Sequence, residues 1–199
     1  MTVEANKPLH LNNEIPEDEL QNAFGNTLGS GNIFLRDGFG SVDPNHILND
    51  IRFLVQHHDV RWVILDHLSI LMSGLELDDE RKCIDRTMTM LRSFCEETQV
   101  GMILVSHLRR SSSDKGPEDG QQISLQMLRG SHSICQLSDQ VVALQRNISS
   151  GDNNAELVVL KNRFTGKTGP AAQLTYSEET GRLVELPTNS DNSSTYDDF

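Results

Sequence analysis

Apolar positions along the chain fall into two alternating rhythms, one of helical period and one of short continuous runs. Residues 1–31 are polar, with a short helical pattern after Pro16 that carries Leu20 and Phe24, and they end in a Gly-rich break at Gly29 to Gly31. Asn32 to Arg36 (NIFLR) then reads as a strand. Asp43 followed by Pro44 supplies an N-cap and a proline at the first helical position, opening a helix with Ile47, Leu48, Ile51, Leu54 and Val55 on one face. Trp62 to Leu65 (WVIL) is a continuous apolar run ending in Asp66, as expected of a strand buried on both faces of a parallel sheet. A second amphipathic helix near Asp79 to Thr98 carries Ile84, Met88, Leu91 and Cys95, and Met102 to Val105 (MILV) is another buried-strand run, closed by Ser106 and His107.

Strand, helix, strand, helix, strand is the order of an α/β fold with a parallel sheet. Further strands are expected at Val141 to Leu144 and Leu157 to Leu160, and Thr165 to Gly169 (TGKTG) is a turn leading into Ala172 to Tyr176, so the carboxyl-terminal part of the sheet should be antiparallel. Between these halves lies a polar loop, Arg109 to Gln122, longer than a connection requires; loops of that length are functional or disordered. After Pro187 the sequence TNSDNSSTYDDF has no apolar period and should be a disordered acidic tail. The expected organisation is a lead-in over 1–31, one domain over 32–186 and the tail over 187–199.

Composition narrows the classes. With 199 residues and 36% hydrophobic content, the chain can build one modest core. No stretch reaches the roughly 18 apolar residues of a membrane span, and the amino terminus has no signal-like pattern, so a cytoplasmic location and no membrane partner are expected. Cys83, Cys95 and Cys135 are scattered without a C-x-x-C pair, and the seven histidines have no ligand spacing; free thiols are expected and a zinc site has little support. A net charge of -12 argues against broad attraction to nucleic acid, so any contact with it must be local. Basic residues do cluster locally, as Arg109, Arg110 and Lys115 and as Lys161, Arg163 and Lys167.

In an open parallel sheet, ligands bind at the carboxyl ends of the strands, which makes Asp66 and His107 the first candidates. An aspartate directly after an apolar strand is the form of a Walker B motif, whose carboxylate holds Mg²⁺ beside nucleotide phosphates. It is equally the form of an aspartate that caps the next turn.

Five blocks in order resemble a known motor: VILDHLSI (Val63 to Ile70), DERK (Asp79 to Lys82), SHLRR (Ser106 to Arg110), LRGSHSICQLSD (Leu128 to Asp139) and KNRFTGKTG (Lys161 to Gly169). The set is similar to the motor of short-tailed-phage helicase-primases and their relative Twinkle, within the DnaB-like helicases, from about Asn32 to Glu185. The resemblance implies a RecA-like three-layer core, incomplete at its amino-terminal side, in a ring. ATP or dTTP with Mg²⁺ would bind between subunits, and single-stranded DNA would pass 5′ to 3′ through the channel. By the same resemblance Asp66 is the magnesium ligand, and His107 the sensor that couples the γ-phosphate to the DNA loop. Arg109, Arg110 and Lys115 lie in that loop, the alternative being a solvated loop with incidental charge. Arg163 matches an arginine finger reaching a neighbour's nucleotide, and Lys161, on the same strand face by period, a second cation for the γ-phosphate; the alternative is an edge strand kept soluble by its charges. Gln136 matches a glutamine near the γ-phosphate and Arg129 an interface-ordering residue. Arg146 and Tyr176 resemble residues around the base, although a strand tyrosine also fits a core. The tail ending in Asp197, Asp198 and Phe199 resembles a polymerase-docking tail, or is merely solvated.

The chain departs from that family in two respects: no G-x-x-x-x-G-K-[ST] run occurs in it, and its G-K-T at Gly166 to Thr168 lacks the upstream glycine. The family's catalytic glutamate also has no match, Glu14, Glu17 and Glu19 lying in the lead-in. The expectation is a split gene whose other product carries the loop, or a fragment or degenerate reading frame, hydrolysing little ATP by itself. Two competing readings are a non-catalytic module that docks polymerase or a helicase ring, and a RecA-like recombinase or regulatory ATPase.

Overall fold

The computed structural model describes residues 15–36, 43–72, 79–108, 116, 119–128, 131–151, 153–178 and 180–187. Helix α1 (Glu17–Asn26) follows Pro16 and leads through a short turn at Leu28–Ser30. Helix α2 (Pro44–His58) starts as its sequence dictates: the Asp43 carboxylate accepts the Asn45 N–H at 2.9 Å, and proline occupies the first turn. Strand β1 (Trp62–Leu65) and the short helix α3 (Leu68–Met72) follow. Next comes α4 (Glu80–Thr98), capped by Asp79 and closed by Gln99 in the left-handed region, and then β2 (Gly101–Leu104).

The remainder is α5 (Ser131–Leu137), β3 (Gln140–Gln145), β4 (Asn154–Asn162), β5 (Gly169–Ser177) and β6 (Arg182–Glu185). Strands β1 and β2 pair in parallel, and β3-β4-β5-β6 form an antiparallel sheet in chain order. The expected α/β architecture, with parallel pairing first and antiparallel strands at the carboxyl-terminal end, is therefore present. Among the described residues parallel pairing is confined to β1 and β2.

One core joins these parts. Ile47, Leu48 and Ile51 of α2, Val63 of β1, Leu68 and Leu71 of α3, and Ile84, Met88, Leu91 and Phe94 of α4 meet Leu128, Ile134 of α5 and Val141 of β3. The i, i+4, i+7 spacing of Ile84, Met88 and Leu91 puts all three on one stripe of α4. Each such side chain contributes about 1.5–3 kcal/mol by leaving water. Outside the core, Arg52 grips Glu97 with two bonds of 3.0 Å and lies 5.4 Å over the Phe94 ring, clamping α2 to α4.

Three expectations need correction. Asn32 to Arg36 is not a strand: residues 33–36 carry no regular structure, and Ile33, Phe34 and Leu35 are exposed. A β-favouring sequence becomes a strand only where a neighbour completes its ladder, and no described strand pairs with this one. β1 and β2 are also not buried on both faces. Val63 is buried, but Trp62 and Ile64 are 68% and 69% exposed and Ile103 is 50% exposed. Among the described residues helices α2 to α4 cover one face only; the Trp62 ring lies across Gly101, its register partner, on the other. Finally, β4 ends at Asn162, so Arg163 belongs to the following turn and does not share a strand face with Lys161. The short strand β6, paired antiparallel with β5, is an addition the sequence did not signal.

Candidate nucleotide and subunit-interface site

The parallel pair carries its polar ends side by side. Beyond the regular ladder, the Val105 N–H donates to the Leu65 carbonyl and the Leu68 N–H donates to the Val105 carbonyl, both at 2.9 Å. These bonds hold Asp66 and His67 against the end of β2. Asp66 is exposed there, and so is His107, three residues beyond the end of β2. The His67 and His107 rings meet edge to face with centroids 4.4 Å apart, and His67 Nδ1 lies 2.6 Å from the Ser69 hydroxyl. Imidazoles in that contact restrict each other's rotation, so the segments that leave β1 and β2 touch through His67 and His107. Mg²⁺ binds through one or two carboxylates plus water and phosphate oxygens, a donor set that a single exposed Asp66 fits.

The loop after His107 is pinned at its base, because Leu108 and Leu128 form an antiparallel bridge. Arg109, Arg110 and Lys115 lie inside that loop and Arg129 just beyond it, all outside the described residues, as are Asp197, Asp198 and Phe199. On the far side of the loop, the Gln145 side chain accepts the Ile123 N–H at 3.1 Å and donates to Glu156 at 2.9 Å, tying the loop's return to β3 and β4.

A second cluster sits where α5 meets the end of β4. Lys161 donates its ammonium to the Cys135 carbonyl and, at 2.8 Å, to the Ser138 carbonyl, which are orphan acceptors at the carboxyl end of α5. Arg163 donates its backbone N–H to the Asp139 carbonyl at 2.9 Å and an Nη1 N–H to Asp139 Oδ1 at 3.2 Å. Arg92 of α4 takes the other oxygen, Asp139 Oδ2, at 2.8 Å and also bonds Glu96 at 2.8 Å. Partial burial pushes the Asp139 carboxyl up, but the bonds and charges of Arg92 and Arg163 outweigh it and hold the group below its ordinary value. Arg163 remains 58% exposed despite this pairing, and Gln136 is exposed on α5.

Arg146 and Tyr176 come together as lining of one cleft of ≈ 450 Å³, with Leu144, Asn153 and Leu183. Arg146 Nη2 donates to Asn153 Oδ1 at 2.8 Å, and the Asn153 carbonyl accepts the Tyr176 N–H at 2.9 Å. The tyrosine ring is 39% exposed, which sets it at a cleft wall instead of in the core.

The structure thus groups the candidates into three sets: Asp66 with His107, Gln136 with Lys161 and Arg163 around the α5 terminus, and Arg146 with Tyr176. Three residues that sequence reasoning passed over join them: His67, Arg92 and Asp139. His67 was signalled by its place beside Asp66, and Asp139 by lying between a helix end and a strand opposite basic residues. Arg92, in the middle of a helix, gave no signal.

Among the described residues no helix is long and apolar enough to cross a membrane, and no group of three or more His, Cys, Asp or Glu side chains is placed to hold a metal.

Against known proteins, the family described as DnaB-like helicase C terminal domain matches residues 6–185, beginning inside the stretch expected to be a lead-in. A DNA helicase/primase of Enterobacteria phage T3 is 38% identical over 156 residues, 78% of this chain and 28% of that protein. The replicative DNA helicase DnaB of Leifsonia xyli subsp. xyli (strain CTCB07) is 32% identical over 132 residues, 60% of this chain and 28% of its own length. A solved structure of a DnaB-like replicative helicase, described with its interactions with primase, superposes with a TM-score of 0.68 at 23% identity, covering 85% of this chain and 41% of its own, a likeness of fold. This chain therefore spans little more than a quarter of the curated relatives it matches. Five ordered motifs, a parallel pair ending in Asp66 and His107, and a match across most of the sequence lead to one statement: the chain belongs to the DnaB-like helicase C-terminal domain family.

Proposed function

We propose that this chain is part of the motor of a ring-shaped replicative DNA helicase, acting in the host cytoplasm during phage replication. It would hydrolyse ATP or dTTP with Mg²⁺ at subunit interfaces and move single-stranded DNA 5′ to 3′. The observation that carries the proposal is that Asp66 and His107 lie just beyond the ends of two hydrogen-bonded parallel strands, with His67, the neighbour of Asp66, in ring contact with His107 and the loop after His107 closed by the Leu108 and Leu128 bridge. In that arrangement Asp66 would hold a metal ion, whose charge would offset that of the phosphates. His107 lies between the nucleotide and the base of the DNA loop, so a change in phosphate occupancy reaches Arg109, Arg110 and Lys115 through one short segment.

Arg163 is the finger for the neighbouring subunit, supported by its exposure; Gln136 and Lys161 stand beside it, Lys161 already bound to the α5 terminus. Arg146 and Tyr176 take the base, supported by their shared cleft. Arg129 orders the interface, and the Asp197, Asp198 and Phe199 tail docks the replicative polymerase. The residues given hold no Gly-rich phosphate loop, and the exposed apolar face of β1 and β2 is where the part of the motor that carries it would pack: parallel sheets are stable when both faces are covered.

The test mixes this chain with a polypeptide carrying the loop and measures DNA-stimulated ATPase. Turnover is expected in the mixture only, and Asp66→Ala or Arg163→Ala abolishes it. If the chains assemble and turnover survives both substitutions, the assignment fails. A second reading, favoured by the same uncovered face, is a non-catalytic module that docks a helicase ring; assembly without any turnover would select it.

A further inference from the structure

We propose that Asp139 is a positioning residue for Arg163, a carboxylate latch that parks the guanidinium on its own chain and hands it to a neighbour's phosphate. The inference rests on the reading of Arg163 as a finger and adds the group that controls where the finger points.

Three features of the cluster support a latch and not a fixed ion pair. First, the two partners of Asp139 are held unequally. Arg92 bonds it at 2.8 Å, is half as exposed as Arg163 (31% against 58%), and has Glu96 as a second anion. Arg163 has a single side-chain bond of 3.2 Å to Asp139, which leaves most of its five donors open. Second, each partner uses a different carboxylate oxygen, Oδ1 for Arg163 and Oδ2 for Arg92. When Arg163 leaves, Arg92 still neutralises the carboxylate, so release leaves no orphaned charge. Third, the backbone stays put: the Arg163 N–H to Asp139 carbonyl bond and the Lys161 bond to the Ser138 carbonyl fix the strand end to α5. Only the side chain is free to exchange one anion for another, and a phosphoryl oxygen carrying developing charge is the stronger acceptor.

The arrangement also couples two chemistries. Gln136 lies on α5, three residues before Asp139, so a shift of that helix with the nucleotide beside Gln136 moves the latch of the finger serving the next nucleotide. The charged groups facing Asp139 are Arg92 and Glu96 from α4, and Arg163 with nearby Lys161 from the β4 end.

The experiment reads the side chain directly. In the ¹⁵N-arginine spectrum of the chain, the Arg163 signal is assigned by its loss in Arg163→Lys and the Arg92 signal by its loss in Arg92→Lys. A carboxylate bond slows rotation of the guanidinium, so both residues should show restricted signals. Asp139→Asn should release Arg163 while Arg92 stays restricted by Glu96. An Arg163 signal that is already freely averaged in the native chain, or that Asp139→Asn leaves unchanged, overturns the latch; the first of these outcomes requires no folded variant at residue 139.

A second arm uses the mixture with the loop-bearing polypeptide. Asp139→Asn should change kcat several-fold with KM for the nucleotide unchanged, and Asp139→Glu should recover most of the native rate. If Arg163→Ala leaves turnover intact, the finger reading has failed. If Arg163→Ala abolishes turnover and Asp139→Asn changes neither kcat nor the spectrum, only the latch has failed.

Discussion

The two polar ends of the sheet system are built in opposite ways. At the end of β1 and β2, Asp66 and His107 are presented outward, held by backbone bonds, and the His67 ring rests against His107. At the end of β4, Lys161 and Arg163 are each tied to the terminus of α5 by side-chain bonds within the chain. A group that serves a metal ion in its own subunit needs a fixed, preorganised position. A group that serves another subunit needs somewhere to rest when that subunit is absent, and the Asp139 carboxylate offers Arg163 such a place. Under the function proposed above, the difference between the ends is that between chemistry done in place and chemistry lent to a neighbour.

Substitutions can break or sharpen that contrast. The largest effect is expected at Arg163: Arg163→Lys keeps the charge but loses the planar fork, so in the complemented assay kcat should fall by about 10³-fold, close to the loss in Arg163→Ala. Near-native turnover in the lysine variant would mean that any cation suffices there. Next in size is Leu91→Ala in the shared core. It should destabilise the fold by about 2–5 kcal/mol in urea denaturation, whereas Ile64→Ala on the uncovered face should cost less than about 0.5 kcal/mol in the isolated chain.

Smaller effects separate the ends further. His67→Ala should lower DNA stimulation about tenfold, ~1.4 kcal/mol, with the unstimulated rate unchanged, because it loosens His107 without touching Asp66. Tyr176→Ala should raise KM by a few-fold at constant kcat, matching the ~0.5–1.5 kcal/mol of an aromatic contact. The least effect concerns pH. The Asp139 carboxyl is held below its ordinary value, so the stability it contributes is complete above the ordinary aspartate range and disappears as pH falls through the lowered value. The Tm difference between the native chain and Asp139→Asn should therefore shrink on acidification and vanish once both forms are neutral at that position. A difference that grows on acidification would reverse the sign and remove the ion-pair explanation.

The sequence was a good guide wherever information is local. Asp43 and Pro44 announced α2, Asp79 announced α4, and the period of Ile84, Met88 and Leu91 fixed the buried stripe of α4. The WVIL run gave β1 to the residue, yet its composition cannot say which of two apolar faces will find cover, and Trp62 and Ile64 found none among the described residues. NIFLR has strand composition without a described partner, and pairing is not a property of one segment. The site divides in the same way. Asp66 and His107 were visible because strand ends are marked by a polar residue after an apolar run. The Arg92 to Asp139 bond joins residues 47 apart and depends on how α4 packs on α5, which no local pattern records. Lys161 was readable as a cation, but its preference for the α5 carbonyls was not.

The central claim is that the metal-holding carboxylate and the finger of each chain serve different nucleotides. Its most direct test mixes two inactive variants, Asp66→Ala and Arg163→Ala, with the loop-bearing polypeptide and measures DNA-stimulated ATPase. In a head-to-tail ring some interfaces then pair an intact Asp66 from one variant with an intact Arg163 from the other, and part of the native turnover should return, although each variant alone has none. If the mixed assembly forms and remains as inactive as its parents, Asp66 and Arg163 act within one chain and the account is wrong.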